Sequence, residues 1–181
     1  MILIVDMNFK KDSLGFFEFV LPIKDISVES EECFVKHYLE IKPEDLRNCS
    51  KIILSGTALR NNLTLSQPDR FAWIPDCGKP LLGICAGMQT IGVVFGAKLN
   101  QCLEIGMTQI TTLKSNPFFS STFKAYSLHN YSIALPAIFD ALAESEKCIQ
   151  AIKHKQKDIY GVLFHPEVRN KEILQRFIHT F

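Results

Sequence analysis

An apolar run in the middle of the chain stops at a cysteine that has one glycine two residues before it and another two residues after it. Residues 79–89 read KPLLGICAGMQ, with the cysteine at position 85. A strand that turns sharply into a helix holds its corner residue in a sparsely populated backbone conformation, and neighbours without a Cβ let strand and helix pass closely. The pattern therefore predicts a strand–cysteine–helix elbow, with Gly83 and Gly87 at its close contacts.

A helix over residues 86–95 would place the Cys85 sulfur at its N-terminus. Unpaired N–H groups and the helix dipole at that end favour thiolate over thiol. The alternative for this pattern alone is a buried packing cysteine ahead of a core helix, because free cysteines are mostly packing residues.

A second motif lies near the C-terminus, where the apolar strand 159–164 runs into His165-Pro166-Glu167. A thiolate nucleophile needs a base that takes and returns protons, and that base needs a group to hold its ring. Residues two apart on an extended chain face the same side. A His-Pro-Glu sequence alone is more often a surface turn, but together with Cys85 it predicts a triad in which His165 is the base and Glu167 orients it.

Short apolar runs bounded by turn signals are typical of strands that helices bury on both faces. Strands are predicted over 2–6, 51–55, 80–84 and 159–164, and helices over 66–76, 86–95 and 170–180. Residues 97–154 are β-rich and predict an antiparallel excursion, whereas 25–41 suit either a helix or a strand. We therefore predict an α/β fold with an open, mostly parallel twisted sheet flanked by helices and a small antiparallel β excursion, as one domain over residues 1–181.

Composition excludes several classes of partner and site. Twenty basic and 19 acidic residues give a formal net charge of +1, which offers no electrostatic footprint for nucleic acid or an anionic membrane. No basic leader and no apolar segment of roughly 20 residues is visible, so we expect a cytoplasmic protein. The six cysteines show neither C-x-x-C pairs nor metal-ligand spacing with histidine, and His37, His154 and His179 read as surface residues. No metal and no cofactor is predicted.

The two motifs together resemble the class I, triad-type glutamine amidotransferases, which carry G-x-C-x-G-x-Q at the nucleophile and H-P-E near the C-terminus. The resemblance extends to the strands at 2–6 and 52–56 and to Glu104-x-Gly106, and so spans nearly the whole chain. Residues 151–162 are similar to the strand pair before H-P-E in the glutaminase part of GMP synthases. The resemblance implies a flavodoxin-like sheet and the hydrolysis of glutamine to glutamate and ammonia.

The resemblance also implies a role for each site residue. Cys85 attacks the glutamine amide, and His165, oriented by Glu167, protonates the departing ammonia and then activates water against the γ-glutamyl thioester. The oxyanion is expected to accept hydrogen bonds from the backbone N–H groups of Ala86, Gly56 and Thr57. The implied substrate-binding residues are Gln89, Leu128, His129, Asn130 and Tyr131. A structural role for His129 beside its strand is an equal alternative.

The chain departs from the family pattern at two positions, and three functions stay open. Thr57 puts a Cβ where most relatives have glycine, and the segment after His129 lacks the acid of GMP synthases. The first function is a glutaminase subunit that feeds ammonia to a separate ATP-dependent synthetase, GMP synthase among the candidates. The second is a freestanding γ-glutamyl hydrolase, and the third is a catalytically silent regulatory module.

Overall fold

A computed structural model describes residues 1–181 and contains nine β-strands and four α-helices. The elements are β1 (Ile2–Asp6), α1 (Leu21–Val28), β2 (Cys33–His37), α2 (Pro43–Asn48), β3 (Lys51–Leu54), β4 (Leu81–Ile84), α3 (Ala86–Val94), β5 (Leu99–Thr112), β6 (Phe123–Ile133), β7 (Phe139–Glu144), β8 (Ile149–His154), β9 (Ile159–Val162) and α4 (Glu172–Thr180). None of these helices has the length and apolar character that crossing a lipid bilayer requires.

The nine strands form one sheet in the order β2-β1-β3-β4-β9-β8-β7-β5-β6. Strands β2, β1, β3, β4 and β9 pair in parallel, in the doubly wound order of flavodoxin-like sheets. Strands β8, β7, β5 and β6 extend this sheet through antiparallel pairs. The predicted α/β class is confirmed, but the sheet is mixed, because the antiparallel part contributes four of the nine strands.

The parallel strands are apolar on both faces because each face of the sheet has its own core. In β1, Ile2 and Ile4 pack on the side of α1 and α4. Leu3 and Val5 point to the opposite side, where they join α3. Because successive side chains of a strand point to opposite faces, one continuous apolar run contributes residues to both hydrophobic layers.

The C-terminal helix α4 agrees with the predicted helix over 170–180. Its buried stripe consists of Ile173, Leu174, Phe177 and Ile178, which recur at helical spacing. This stripe packs against α1 and the sheet. Apolar burial on one face thus fixes α4 to the sheet beside the end of β9.

The predicted helix over 66–76 is wrong. The segment forms short 3₁₀ turns at Leu63–Ser66, Pro68–Phe71 and Ile74–Asp76. Pro68 and Pro75 remove backbone donors and clash with a preceding helical turn, so no continuous α-helix can form.

The sequence of residues 25–41 suits either a helix or a strand, and the structure has one of each in this segment. It holds the end of α1 and all of β2. Helix α2 was not predicted, although it carries a readable signal: Pro43 occupies its first turn and Asp45 Oδ2 accepts from the Lys42 N–H at 2.9 Å.

Two of the three histidines that were predicted to lie on the surface are buried. His37 places Nε2 2.8 Å from the Asn8 carbonyl oxygen. His154 packs against Phe139, and its Nδ1 accepts from the N–H groups of Gln156 and Lys157. Both histidines have polar neighbours in the sequence, which is why they were predicted to be exposed. Both can be buried because backbone groups satisfy their ring nitrogens.

We expect Phe177→Ala to lower the free energy of unfolding by about 3–5 kcal/mol, because it empties a fully buried position between α4 and the sheet. Phe17→Ala is the matched control, since Phe17 is 59% exposed and its loss should change stability by no more than about 0.5 kcal/mol. Chemical denaturation of both variants measures the difference. Equal stability losses would contradict this account of the core.

Candidate active site

Cys85 is the single residue between β4 and α3, and its backbone is strained. Its φ of 47° and ψ of −102° are unusual for a residue with a side chain. Two hydrogen bonds hold it there: its N–H donates to the Val162 carbonyl at 2.8 Å, and its carbonyl accepts from the Gln89 N–H at 3.0 Å. The elbow that the sequence pattern predicts is therefore present.

The glycines around Cys85 stand where backbones nearly touch. A Cβ on Gly83 would lie 2.5 Å from the Gly87 carbonyl carbon, and one on Gly87 would lie 2.6 Å from the Leu54 oxygen. Such distances leave no room for a side chain. Close approach of β3, β4 and α3 thus imposes the geometry of the elbow.

His165 and Glu167 form a buried pair just beyond the end of β9. His165 Nδ1 lies 2.7 Å from Glu167 Oε1, and neither side chain is exposed. A carboxylate accepts hydrogen bonds, so Nδ1 carries the proton and donates it to this contact. The other ring nitrogen, Nε2, is buried without a hydrogen-bond partner and is free to exchange a proton.

Gly56, after β3, lies where the side chains of Cys85 and His165 converge. A Cβ on Gly56 would come within 2.5 Å of His165 Cε1 and 3.5 Å of Cys85 Cβ. Cys85 Sγ donates to the Leu128 carbonyl at 3.5 Å. The three predicted triad residues therefore share one small site at the carboxyl ends of parallel strands, the usual ligand position in such sheets.

Two opposing effects act on the His165 imidazole. Burial alone lowers the pKa of His165, but the negative charges of Glu167 and Cys85 outweigh it, so that this pKa lies well above its ordinary value of 6.5. The buried carboxylate therefore favours the charged form of the ring over the neutral one.

Three backbone donors near Cys85 make no hydrogen bond within the protein. They are the N–H groups of Gly56, Thr57 and Ala86. The Thr57 hydroxyl is turned into its own loop, where Oγ1 donates to the Asn61 carbonyl at 3.0 Å. The threonine at this position thus leaves its N–H free, and the sequence departure does not remove a predicted oxyanion donor.

The predicted substrate-binding residues divide into two groups. Leu128 lies next to Cys85 through its carbonyl, and Gln89 Nε2 donates to the Tyr131 carbonyl at 2.7 Å. Gln89 therefore ties α3 to β6. Asn130 and Tyr131 are half-buried and line one surface cavity.

His129 is buried and points toward β5. Its Nδ1 lies 3.0 Å from the Cys102 carbonyl oxygen, and its Nε2 lies 3.0 Å from Glu104 Oε2 without the alignment of a hydrogen bond. These contacts correspond to the structural role that the sequence left open for this residue.

The site is closed and does not coincide with the large surface cavities. Cys85 is 3% exposed, and the largest cavity lies along β5 and the loop between β7 and β8. We locate the candidate site by the convergence of reactive groups, because an open cavity without a nucleophile or base has no catalytic chemistry to offer.

The sequence reasoning missed two supports of His165. The Phe19 ring packs 5.3 Å from the imidazole, centre to centre, and the Tyr126 carbonyl accepts from the His165 N–H at 2.8 Å. Phe19 belongs to a π-helical turn, Phe16–Val20, which had no readable signal beyond its apolar residues. Tyr126 reaches the site only through the position of β6.

Comparison with known proteins gives a consistent result. Residues 23–181 match the family described as glutamine amidotransferase class-I. The chain is 39% identical over 109 residues to a subunit of the glutamine-hydrolyzing GMP synthase of Methanosphaera stadtmanae, a match that covers 54% of this chain and 59% of that protein. It is 36% identical over 152 residues to the subunit of the same name from Pyrococcus abyssi, covering 76% and 78%.

A solved structure shows the same architecture. A protein from Thermoplasma acidophilum, described as a GMP synthase subunit, aligns with a TM-score of 0.86 at 27% identity, over 98% of this chain and 92% of that one. The sequence match to the M. stadtmanae relative spans less than two thirds of its length.

We expect Glu167→Gln to lower the pKa of His165, because the amide removes the charge that counteracts burial. Folding stability from protonated His165 is present below pH 6.5 and is lost as pH rises through the folded value, so this pH dependence should shrink in the variant. NMR titration of ring-labelled histidine measures the pKa. Glu172→Gln, an exposed change of the same charge, is the control; an unchanged His165 titration in Glu167→Gln would contradict the pairing.

Proposed function

This chain belongs to the class I glutamine amidotransferases, and we propose that it is a glutaminase subunit that hydrolyses glutamine to glutamate and passes the ammonia to a separate ATP-dependent synthetase. The observation that carries the proposal is one arrangement: Cys85 at positive φ on its elbow, beside the buried pair of His165 and Glu167. Nucleophile, base and orienting acid are the parts that acyl transfer through a thioester requires.

The first half of the reaction forms a γ-glutamyl thioester. Cys85 Sγ, as thiolate, attacks the side-chain amide carbon, and the carbonyl electrons move onto the oxygen. The free N–H groups near Cys85 stabilise this oxyanion. The C–N bond then breaks, and His165 Nε2 gives its proton to the departing ammonia.

The second half releases glutamate. His165, now neutral, takes a proton from water as the water oxygen attacks the thioester carbon. The C–S bond breaks, Cys85 leaves as thiolate, and His165 is again protonated. Glu167 holds the ring through Nδ1 in both halves, so the same Nε2 serves as acid and as base.

Strand β6 supports substrate recognition. Leu128 contacts the nucleophile through its carbonyl, and the Gln89 amide fixes Tyr131 relative to α3. We assign the α-amino and α-carboxyl groups of glutamine to this segment, including Asn130. His129 contributes by holding the strand, since its ring is turned toward β5.

The names of the relatives indicate which synthetase would receive the ammonia. Two of them are named as a subunit of glutamine-hydrolyzing GMP synthase, a name for one part of an enzyme with at least two parts. We therefore propose a GMP-forming synthetase as the partner. The burial of Cys85 supports a partner-dependent enzyme. Glutamine can reach this side chain only after the surrounding part of the chain moves, and binding of a partner can cause that movement.

A freestanding γ-glutamyl hydrolase is the second candidate function. The loop at Thr57 favours it, because this loop differs from the glycine-rich form of most relatives and can define a different leaving-group pocket. A silent regulatory module is disfavoured by the intact pairing of His165 with Glu167. Turnover of the chain measured alone and with candidate synthetases distinguishes the three functions.

We expect Cys85→Ala to reduce glutamate release by about 10⁶-fold, because the nucleophile of the triad is lost. A glutamine-analogue electrophile should label Cys85 in the wild-type chain, as mass spectrometry of its peptides can show. Cys77→Ala, which removes a half-buried thiol before the amino end of β4, at the opposite end of that strand from Cys85, should leave both results unchanged. Full activity in Cys85→Ala, or labelling spread over all six cysteines, would exclude this mechanism.

We expect the isolated chain to hydrolyse glutamine slowly, because the Thr57 N–H, although free, must turn toward the oxyanion when a partner binds. A cognate synthetase should then raise turnover by about 10²–10³-fold, the value of one oxyanion donor. Thr57→Gly should raise the uncoupled rate, because it frees the loop that the hydroxyl ties to Asn61. Thr122→Gly, at an exposed threonine between β5 and β6, is the control. A wild-type chain that is as fast alone as with any synthetase would favour the freestanding hydrolase.

A further inference from the structure

A second cluster of reactive side chains lies between β5 and β6, apart from the triad. Cys102, Glu104 and His129 bring one sulfur, one oxygen and one nitrogen to within 4.8 Å of one another. A β-bulge makes the cluster possible: Gln101 pairs with Tyr131 and Glu104 with His129, so that Cys102 and Leu103 together face Asn130. Nothing in the proposed glutaminase reaction uses these groups as a set.

The His129 ring has one satisfied nitrogen and one unsatisfied nitrogen. The Cys102 carbonyl beside Nδ1 can only accept, so Nδ1 carries a proton. Nε2 is fully buried, lacks an aligned hydrogen bond and lies 3.0 Å from Glu104 Oε2. A single cation bound by both atoms would give the unpartnered Nε2 a partner and bring it together with the Glu104 carboxylate.

The arrangement around His129 is also that of a metal-ligating histidine. Such residues donate the second ring N–H to a carbonyl or carboxylate, which fixes the tautomer and directs the other nitrogen at the ion. Glu104 is also held in place, because the Gln150 amide donates at 2.5 Å to Oε2, the oxygen that faces His129. Neighbours outside the cluster thus fix the positions of both side chains.

Cys148, just before β8, supplies a fourth donor at the edge of the cluster. Its Sγ donates to Glu104 Oε2 at 3.6 Å and accepts from Gln150 Nε2 at 3.4 Å, so it contacts the same carboxylate as the cluster. Both cysteines are half-buried and free, and Cys102 lines a surface cavity through which an ion can enter.

We propose that Cys102, Cys148, His129 and Glu104 form a binding site for Zn²⁺. Two thiolates, one imidazole and one carboxylate are ligands that zinc accepts in tetrahedral geometry. The two thiols lose their protons to solvent when the ion binds, and the ion carries the positive charge that the Nε2–carboxylate contact requires. A softer or harder cation fits this mixed set less well.

Zinc at this position would join three segments: the bulge of β5, the loop between β7 and β8, and β6. Its ligand on β6, His129, is the neighbour of Leu128, whose carbonyl contacts Cys85. The site is independent of the proposed glutaminase activity, because binding can be measured without glutamine. Failure of one proposal therefore leaves the other intact.

The test is zinc binding by the full chain, reduced and freed of metal with a chelator. We expect one Zn²⁺ per chain, and Co²⁺ in its place should give the charge-transfer absorption of thiolate ligands. Cys102→Ser and Cys148→Ser should each weaken Zn²⁺ binding by about 100-fold or more. Cys33→Ser, which removes a half-buried thiol on β2, is the matched control and should bind as the wild type does.

Three results would overturn the proposal. One is a wild-type chain that binds no zinc, which leaves the contact between His129 and Glu104 as part of the packing of β5 against β6. Another is equal binding by wild type, Cys102→Ser and Cys148→Ser, which places the ion elsewhere. The last is a disulfide between Cys102 and Cys148 that forms in air while the reduced chain takes up no metal. Circular dichroism of each variant confirms that it is folded.

Discussion

The strained elbow at Cys85 is the constraint on which the rest of the site depends. The chain accepts a positive φ at this residue because β3, β4 and α3 approach one another too closely for any other path. The hydrogen bond from the Cys85 N–H to Val162 ties the elbow to β9, the strand that leads to His165. A single backbone arrangement therefore positions the thiol and sets its distance from the base.

The second requirement is a charge pair kept away from water. The side chains of His165 and Glu167 are fully buried, and the Phe19 ring packs against the imidazole. A buried charge is tolerated only with a partner, so each member of the pair depends on the other. Burial also strengthens every electrostatic contact in the site, which is why a closed pocket suits both the proposed chemistry and its control by a separate synthetase.

The antiparallel strands complete what the parallel sheet begins. The parallel half supplies Cys85 and His165, whereas β6 supplies the carbonyls of Tyr126 and Leu128 that contact them. Strand β5 then holds β6 from behind through the bulge at Cys102. The same pairing that brings β6 to the candidate active site also creates the cysteine, histidine and glutamate cluster for which we propose zinc.

The sequence by itself determined the strands β1, β3, β4 and β9, the elbow at Cys85 and the pairing of His165 with Glu167, because apolar runs, glycine spacing and the His-Pro-Glu motif are local patterns that report local structure. It did not determine the 3₁₀ turns at 63–76, where two prolines overrode an apolar helical pattern, or the burial of His37 and His154. Only the tertiary structure decided which way Thr57 and His129 point and that Cys148 meets Glu104. These contacts depend on strand register across long sequence separations, and register is set by the packing of the whole sheet rather than by any segment alone.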